Sequence, residues 1–184
     1  MVNHSNERRY ALKRQGVWYV VVKTLVFLGV YTAFHYAYPV IHWPIFAISE
    51  TPWEHLKIGF FGAALLALAE FVLFARSRIH SWFRFLCSRF TGIILVPLTL
   101  FLFYYLSVAL FGRIAPTWLK VFSVVFVTLL AGLTAFYTEN ECLELPLEMK
   151  PSLLLLQVVI LIITAFLFIT FTYRLPYYPL FMEV

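Results

Sequence analysis

The residues best suited to chemistry crowd into one short stretch. From His35 to His55, 21 residues hold three of the five histidines, His35, His42 and His55, and two of the nine glutamates, Glu50 and Glu54. Imidazole nitrogens with a carboxylate oxygen form the donor set of a zinc-type site, so His35, His42 and His55 with Glu50 or Glu54 are candidate ligands for zinc or another transition metal. The spacings of 7 and 13 residues, across Pro39 and Pro44, follow no fixed ligand pattern; polar packing and interfacial hydrogen bonding stand as the competing reading. Were the chain an enzyme, Glu50 or Glu54 would be its general base, acting with the metal in a hydrolysis.

Other chemistries are excluded by what the sequence lacks. It contains no aspartate. Intramembrane aspartyl proteases, aspartyl-phosphate pumps, paired-Asp phosphotransferases and EF-hand loops all require one. A Gly-x-Ser nucleophile turn, a Gly-rich phosphate loop and an H-E-x-x-H pair are also missing. No standard catalytic motif is present, and no cofactor other than a metal is suggested.

The elements that must position these residues are set by composition. Of 184 residues, 62% are apolar and 12% charged, against about 25% charged in a soluble domain. A helix needs about 20 apolar residues to cross a bilayer, so five spans would absorb nearly the whole chain. The expected fold is an all-α integral membrane protein, a bundle of five transmembrane helices. The apolar runs place them at about 17–38, 53–75, 90–111, 118–137 and 152–173 in one membrane domain, 17–173. A basic segment, 1–16, precedes the domain and a short tail, 174–184, follows it. Val17 to Tyr38 is too long for a signal-peptide core, Pro97 is expected to kink span three, and the five tryptophans fall near span ends as an aromatic belt would.

Basic residues set the expected orientation, because cytoplasmic loops retain Lys and Arg. Arg8, Arg9, Lys13, Arg14, Arg76, Arg78, Arg84, Arg89 and Lys150 fall on one side; Lys57, Arg113, Lys120 and Arg174 fall on the other. The N-terminus is therefore placed inside and the C-terminus outside, in the cell membrane, with Lys23 snorkelling from span one to the cytoplasmic interface. The net charge of +5 then signals orientation and anionic lipid; the lipid bilayer is the partner, not nucleic acid. Glu139, Glu141, Glu144 and Glu148 read as a solvated loop, 138–150. Cys87 and Cys142 both fall on the cytoplasmic side, where thiols stay reduced, and Cys87 reads as a plain interfacial thiol ahead of an acyl acceptor.

Within span two the spacing is specific. Thr51-Pro52-Trp53-Glu54 reads as a capping box, which gives Glu54 a structural role to set against a chemical one. His55, Gly59, Gly62, Ala63, Leu66, Ala67 and Glu70 share one stripe at 100° per residue, small and polar, and should face the bundle. An inward ionisable residue in a span marks a functional site by default, although Glu70 lies near the cytoplasmic end, where Arg76 or an N-terminal Arg would pair with it.

Glu50-Thr-Pro-Trp-Glu-His-Leu-Lys57 resembles the Asn-Glu-Ser/Thr-x-Trp-Glu-His-Leu-Lys stretch of a family of small, uncharacterised prokaryotic multi-pass membrane proteins, with Ser49 here in the Asn position. Phe171-Thr-Tyr-Arg-Leu-Pro-Tyr-Tyr-Pro-Leu-Phe181 resembles that family's closing segment. The resemblance implies that Glu50, Trp53, Glu54, His55 and Lys57 form its distinctive patch.

Three functions follow. The first is binding or transport of a cation or small polar ligand at an outer-face His/Glu cluster, with Glu50, Trp53, Glu54, His55, Lys57 and Glu70 as ligand-binding residues. The second is a metal-assisted membrane hydrolase acting on lipid. The third is a structural or assembly partner of a membrane complex. Convergence of His35, His55 and Glu50 or Glu54 on one cavity separates the first two from the third.

Overall fold

A computed structural model of the chain describes residues 16–78, 82–112, 116–143 and 151–174. These form five helices: α1 (Val17–Tyr36), α2 (Pro52–Arg78), α3 (Trp82–Phe111), α4 (Thr117–Cys142) and α5 (Pro151–Tyr173). All five are long and apolar enough to cross a membrane, and there is no strand among the described residues. Their outward faces carry large apolar side chains, among them Leu68 and Val72 of α2, Leu102 and Leu110 of α3, Phe122 of α4 and Ile162 and Phe166 of α5. Such a surface suits lipid, which supplies no penalty for exposed Leu and Phe.

The first four helices close a ring in chain order, α1 against α2, α2 against α3, α3 against α4 and α4 against α1, while α5 packs outside the ring on α3. Small residues allow the close approaches. A Cβ on Gly59 would meet Leu100 and Val96 of α3, one on Gly62 would touch Phe27 and Val30 of α1, and one on Gly132 would press on Thr24 and Phe27. The core between them is Phe27, Ile58, Val96, Ala131 and Ala135, all fully buried. Phe27 sits at its centre, edge-on to Phe136 at 5.5 Å between ring centroids.

Three helices extend beyond the apolar runs that announce them. α2 continues to Arg78, α3 begins at Trp82 and not Phe90, and α4 continues past Tyr137 to Cys142. A helix does not stop where hydropathy falls if its polar residues find partners inside the bundle. Arg89 is therefore buried in α3, and Glu139 is buried in α4, where the sequence suggested a solvated loop. Cys87 is likewise buried in α3, out of reach of an acyl donor, and both cysteines are free thiols. Arg8, Arg9, Lys13, Arg14, Arg113, Glu144, Glu148, Lys150 and most of the tail, 175–184, lie outside the described residues.

Candidate functional site

Helix α1 carries Tyr19, Lys23, Phe27, Tyr31 and His35 at intervals of four, a single slowly turning stripe directed into the ring. Its two ends serve two different polar clusters, with fully buried Phe27 between them.

At the C-terminal end of α1 the chain must turn, because Pro39 disfavours helix at the residue before it. The connection folds back on the helix it leaves: Ala47 donates its amide to the Phe34 carbonyl at 3.3 Å, and Phe46 packs edge-on against Phe34. This return carries Glu50 beside His35. Thr51 then caps α2, its hydroxyl accepting the Glu54 amide at 3.4 Å, and the first turn of α2 presents His55 to the same point.

Glu50 bridges the two histidines. His35 Nε2 lies 3.2 Å from Oε1 and His55 Nε2 3.8 Å from Oε2, and one donor atom from each of His35, Glu50 and His55 falls within 4.8 Å of the others. The imidazoles stack nearly parallel, 5.4 Å between centroids, and Tyr31 Oη is 2.7 Å from His55 Nδ1. The cluster lies on the wall of a cavity of about 670 Å³ bounded by α1, α2, α3 and α4.

Other residues expected at this site go elsewhere. His42 is exposed, with Nδ1 2.8 Å from the Tyr38 carbonyl oxygen, and does not join the cluster. The proline-containing turn directs it away from the ring. Glu54 is buried but faces the other side of α2, paired with Lys57 at 2.6 Å and accepting the Ile48 amide at 2.9 Å. Its carboxylate thus ties down the loop before the helix, and does not cap it as the capping-box pattern suggests. Lys57 also donates to Thr172 of α5 at 2.9 Å, and Trp53 packs at a tilt of 53° against both Phe168 and Phe171 of the same helix. Glu54, Lys57 and Trp53 hold α5 and the loop against α2, leaving Glu50 as the carboxylate of the His cluster.

Glu70 belongs to the opposite end of the stripe. Its carboxylate accepts the Tyr19 hydroxyl at 2.6 Å and forms ion pairs with Lys23 Nζ at 2.8 Å and Arg89 Nε at 2.5 Å. Glu139 receives Lys23 at 2.6 Å and also pairs with Arg89. Lys23 is thus buried and does not snorkel, because α2 and α4 each place a carboxylate on its ammonium, and the Phe136 ring lies 4.6 Å away. Two cations and two carboxylates make the quartet neutral, with each charge paired, the condition under which charge survives burial. Glu70 faces inward as the small-residue stripe predicts, but its partners are Lys23 and Arg89.

Apart from exposed His42, the sequence-based candidates therefore resolve into three places: the His35–Glu50–His55 cluster, the Glu54–Lys57 pair with Trp53 beside α5, and the ionic quartet that includes Glu70. Besides the stripe that ends at Glu70, the quartet has a readable signal in the interval of four from Tyr19 to His35, which aligns Lys23 with the inward face of α1. Comparison of the chain with family models, curated proteins and solved structures finds no match.

Proposed function

We propose that this protein is a five-span membrane protein that binds a divalent transition metal, of the zinc type, through His35, Glu50 and His55. The observation that supports this reading most is the convergence of two imidazole nitrogens and a carboxylate, drawn from two helices and a loop, beside a cavity. Zinc bonds of about 2.0–2.1 Å in a tetrahedron set donor atoms about 3.4 Å apart; one donor atom from each of the three residues lies within 4.8 Å of the others here, so a rotation of the exposed Glu50 side chain would close the set on an ion. Two histidines and one carboxylate leave at least one coordination position for a ligand from the cavity. Ligation through Nε2 leaves the proton of neutral His55 on Nδ1, which then donates to Tyr31 and fixes the ring.

The positive-inside count assigns this centre to the outer side of the cell membrane, with the quartet toward the cytoplasm. The resemblance of Glu50–Lys57 to a family motif falls on the same ground: Glu50 and His55 belong to the centre, and Trp53, Glu54 and Lys57 to the packing that seats it. If the centre is hydrolytic, Glu50 is its carboxylate, since Glu54 is engaged by Lys57 and the Ile48 amide.

Elemental analysis of the detergent-purified protein tests this, with a His35→Ala/His55→Ala variant beside it. About one zinc per chain in the first and none in the second is the expected result. A folded wild-type protein that neither carries nor takes up zinc, cobalt or nickel would overturn it.

A further inference from the structure

The walls of the cavity say what kind of molecule would share the metal. α1 and α4 touch at one end of the bundle, through Lys23 with Glu139 and Phe27 with Phe136, and a Cβ on Gly132 would press on Thr24. Toward the His35 end, residues of both helices line the open space. Thr117 and Thr128 both line it, so it follows α4 for 11 residues, about 16 Å at the helical rise. Its volume, about 670 Å³, falls within the range of about 300–1,000 Å³ typical of small-molecule pockets.

The lining is mixed. Leu28, Leu56, Leu100, Val108, Val124 and Val127 supply apolar surface, Ser107, Thr117, Ser123 and Thr128 add hydroxyls, and His35, His55 and Glu50, with Tyr31, bring the only imidazoles and carboxylate. Thr32 and Tyr36 of α1, Phe101 and Tyr105 of α3 and Val121 and Val125 of α4 are exposed, so the cavity opens through the sides of the bundle, and it opens also at the helix ends, where Glu50, Thr117 and Lys120 are exposed. In a bilayer, the lateral part of that opening, beside Val121 and Val125, meets acyl chains. A centre of one divalent ion and one carboxylate retains a net positive charge, and Lys120 also lines the cavity. Such a place favours an anionic oxygen head joined to an apolar chain.

We infer that the cavity receives a single-chain amphiphile from the membrane, its chain along the apolar walls and its carboxylate or phosphate head turned to the metal. The inference rests on the metal-binding reading above and names its ligand. An apolar chain gains from contact with the Leu and Val side chains of the lining, and the head completes the coordination that three protein donors leave unfinished.

The test uses zinc-loaded protein in detergent and cis-parinaric acid, a fluorescent fatty acid, read by energy transfer from the protein's tryptophans. Saturable binding is expected, with methyl parinarate at least tenfold weaker because its head is uncharged. Val124→Phe, which fills the body, and Thr32→Phe, which narrows the exposed rim without disturbing the core, should each weaken binding at least tenfold while zinc content is unchanged. Decanoate and decyl phosphate are added as competitors, and displacement by either one supports the inference and identifies the head. Equal binding by both variants, equal binding of the methyl ester, or displacement by neither competitor overturns it. Zinc-loaded protein that ignores parinarate overturns this inference alone; protein that takes no zinc fails the earlier reading before any probe is added.

Discussion

Lys23 of α1 and Glu139 of α4 meet at 2.6 Å across 116 residues of sequence, and both are buried. Their contact closes the ring of helices at the end remote from the histidines. Glu70 and Arg89 complete it, so every helix of the ring contributes one charge.

That balance predicts an unusual pattern in substitutions. Glu139→Gln leaves two cations facing one carboxylate and should cost about 3–5 kcal/mol, as loss of one partner from a buried pair does. Lys23→Met should cost a similar amount. The double variant Lys23→Met/Glu139→Gln restores neutrality and should lose less than the sum of the two. Thermal unfolding of the four proteins in one detergent measures this; strictly additive losses would contradict charge balance as the cause.

The quartet also constrains a glycine. A Cβ on Gly92 would collide with the Glu139 carboxylate, whereas one on Gly29 would meet nothing within 4 Å. Gly92→Ala should therefore destabilise by about 1–3 kcal/mol, the usual cost of overpacking. Gly29→Ala should be neutral or stabilising by up to about 1 kcal/mol through helix propensity. The two melting temperatures should move apart, Gly92→Ala below wild type.

Tyr31 offers a way to weaken the metal without removing a ligand. Tyr31→Phe deletes the hydroxyl beside His55 Nδ1 and should lower zinc affinity about 10–100-fold, the effect typical of partners that orient a ligating imidazole. His42→Ala should leave affinity unchanged, because that side chain is exposed and apart from the cluster. Competition against a chromogenic chelator gives both constants, and an effect of His42→Ala equal to that of Tyr31→Phe would count against the assignment.

Lys57 and Glu54 make a structural prediction. Lys57→Met leaves the Glu54 carboxylate buried without its cation and removes the bond to Thr172, so it should cost about 3–5 kcal/mol. Glu54→Gln/Lys57→Met should recover part of that loss. If the pair holds the helices and does not bind ligand, the double variant should still retain zinc in elemental analysis.

Much of this architecture is legible in the sequence, and what is not has two causes, charges that pair across helices and a loop that folds back. Five apolar runs gave five helices, and the spacing from His55 to Glu70 gave the inward face of α2. A hydropathy window ends a span at its first charges and so assigns Glu139 and Arg89 to loops; it cannot see that Lys23 and Glu70 stand on other helices to pair with those charges. Snorkelling of Lys23 is expected only while its two carboxylate partners are hidden. His35, His55 and Glu50 were legible as candidates by residue type; their separation from His42 and Glu54 depends on which way a loop folds back, which residue type does not encode.

The position of α5 has a consequence for the order in which the molecule assembles. The side chains α5 buries are Gln157 and Phe168, and it is fastened near each end, by Gln157 to Thr91 and by Thr172 to Lys57. None of the contacts that close the ring of four involves it. During synthesis the ring is therefore complete in chemical terms once Cys142 has been made, and its charges can neutralise one another before the last helix exists. α5 adds a clamp across α2 and α3 that none of the ring's own contacts requires.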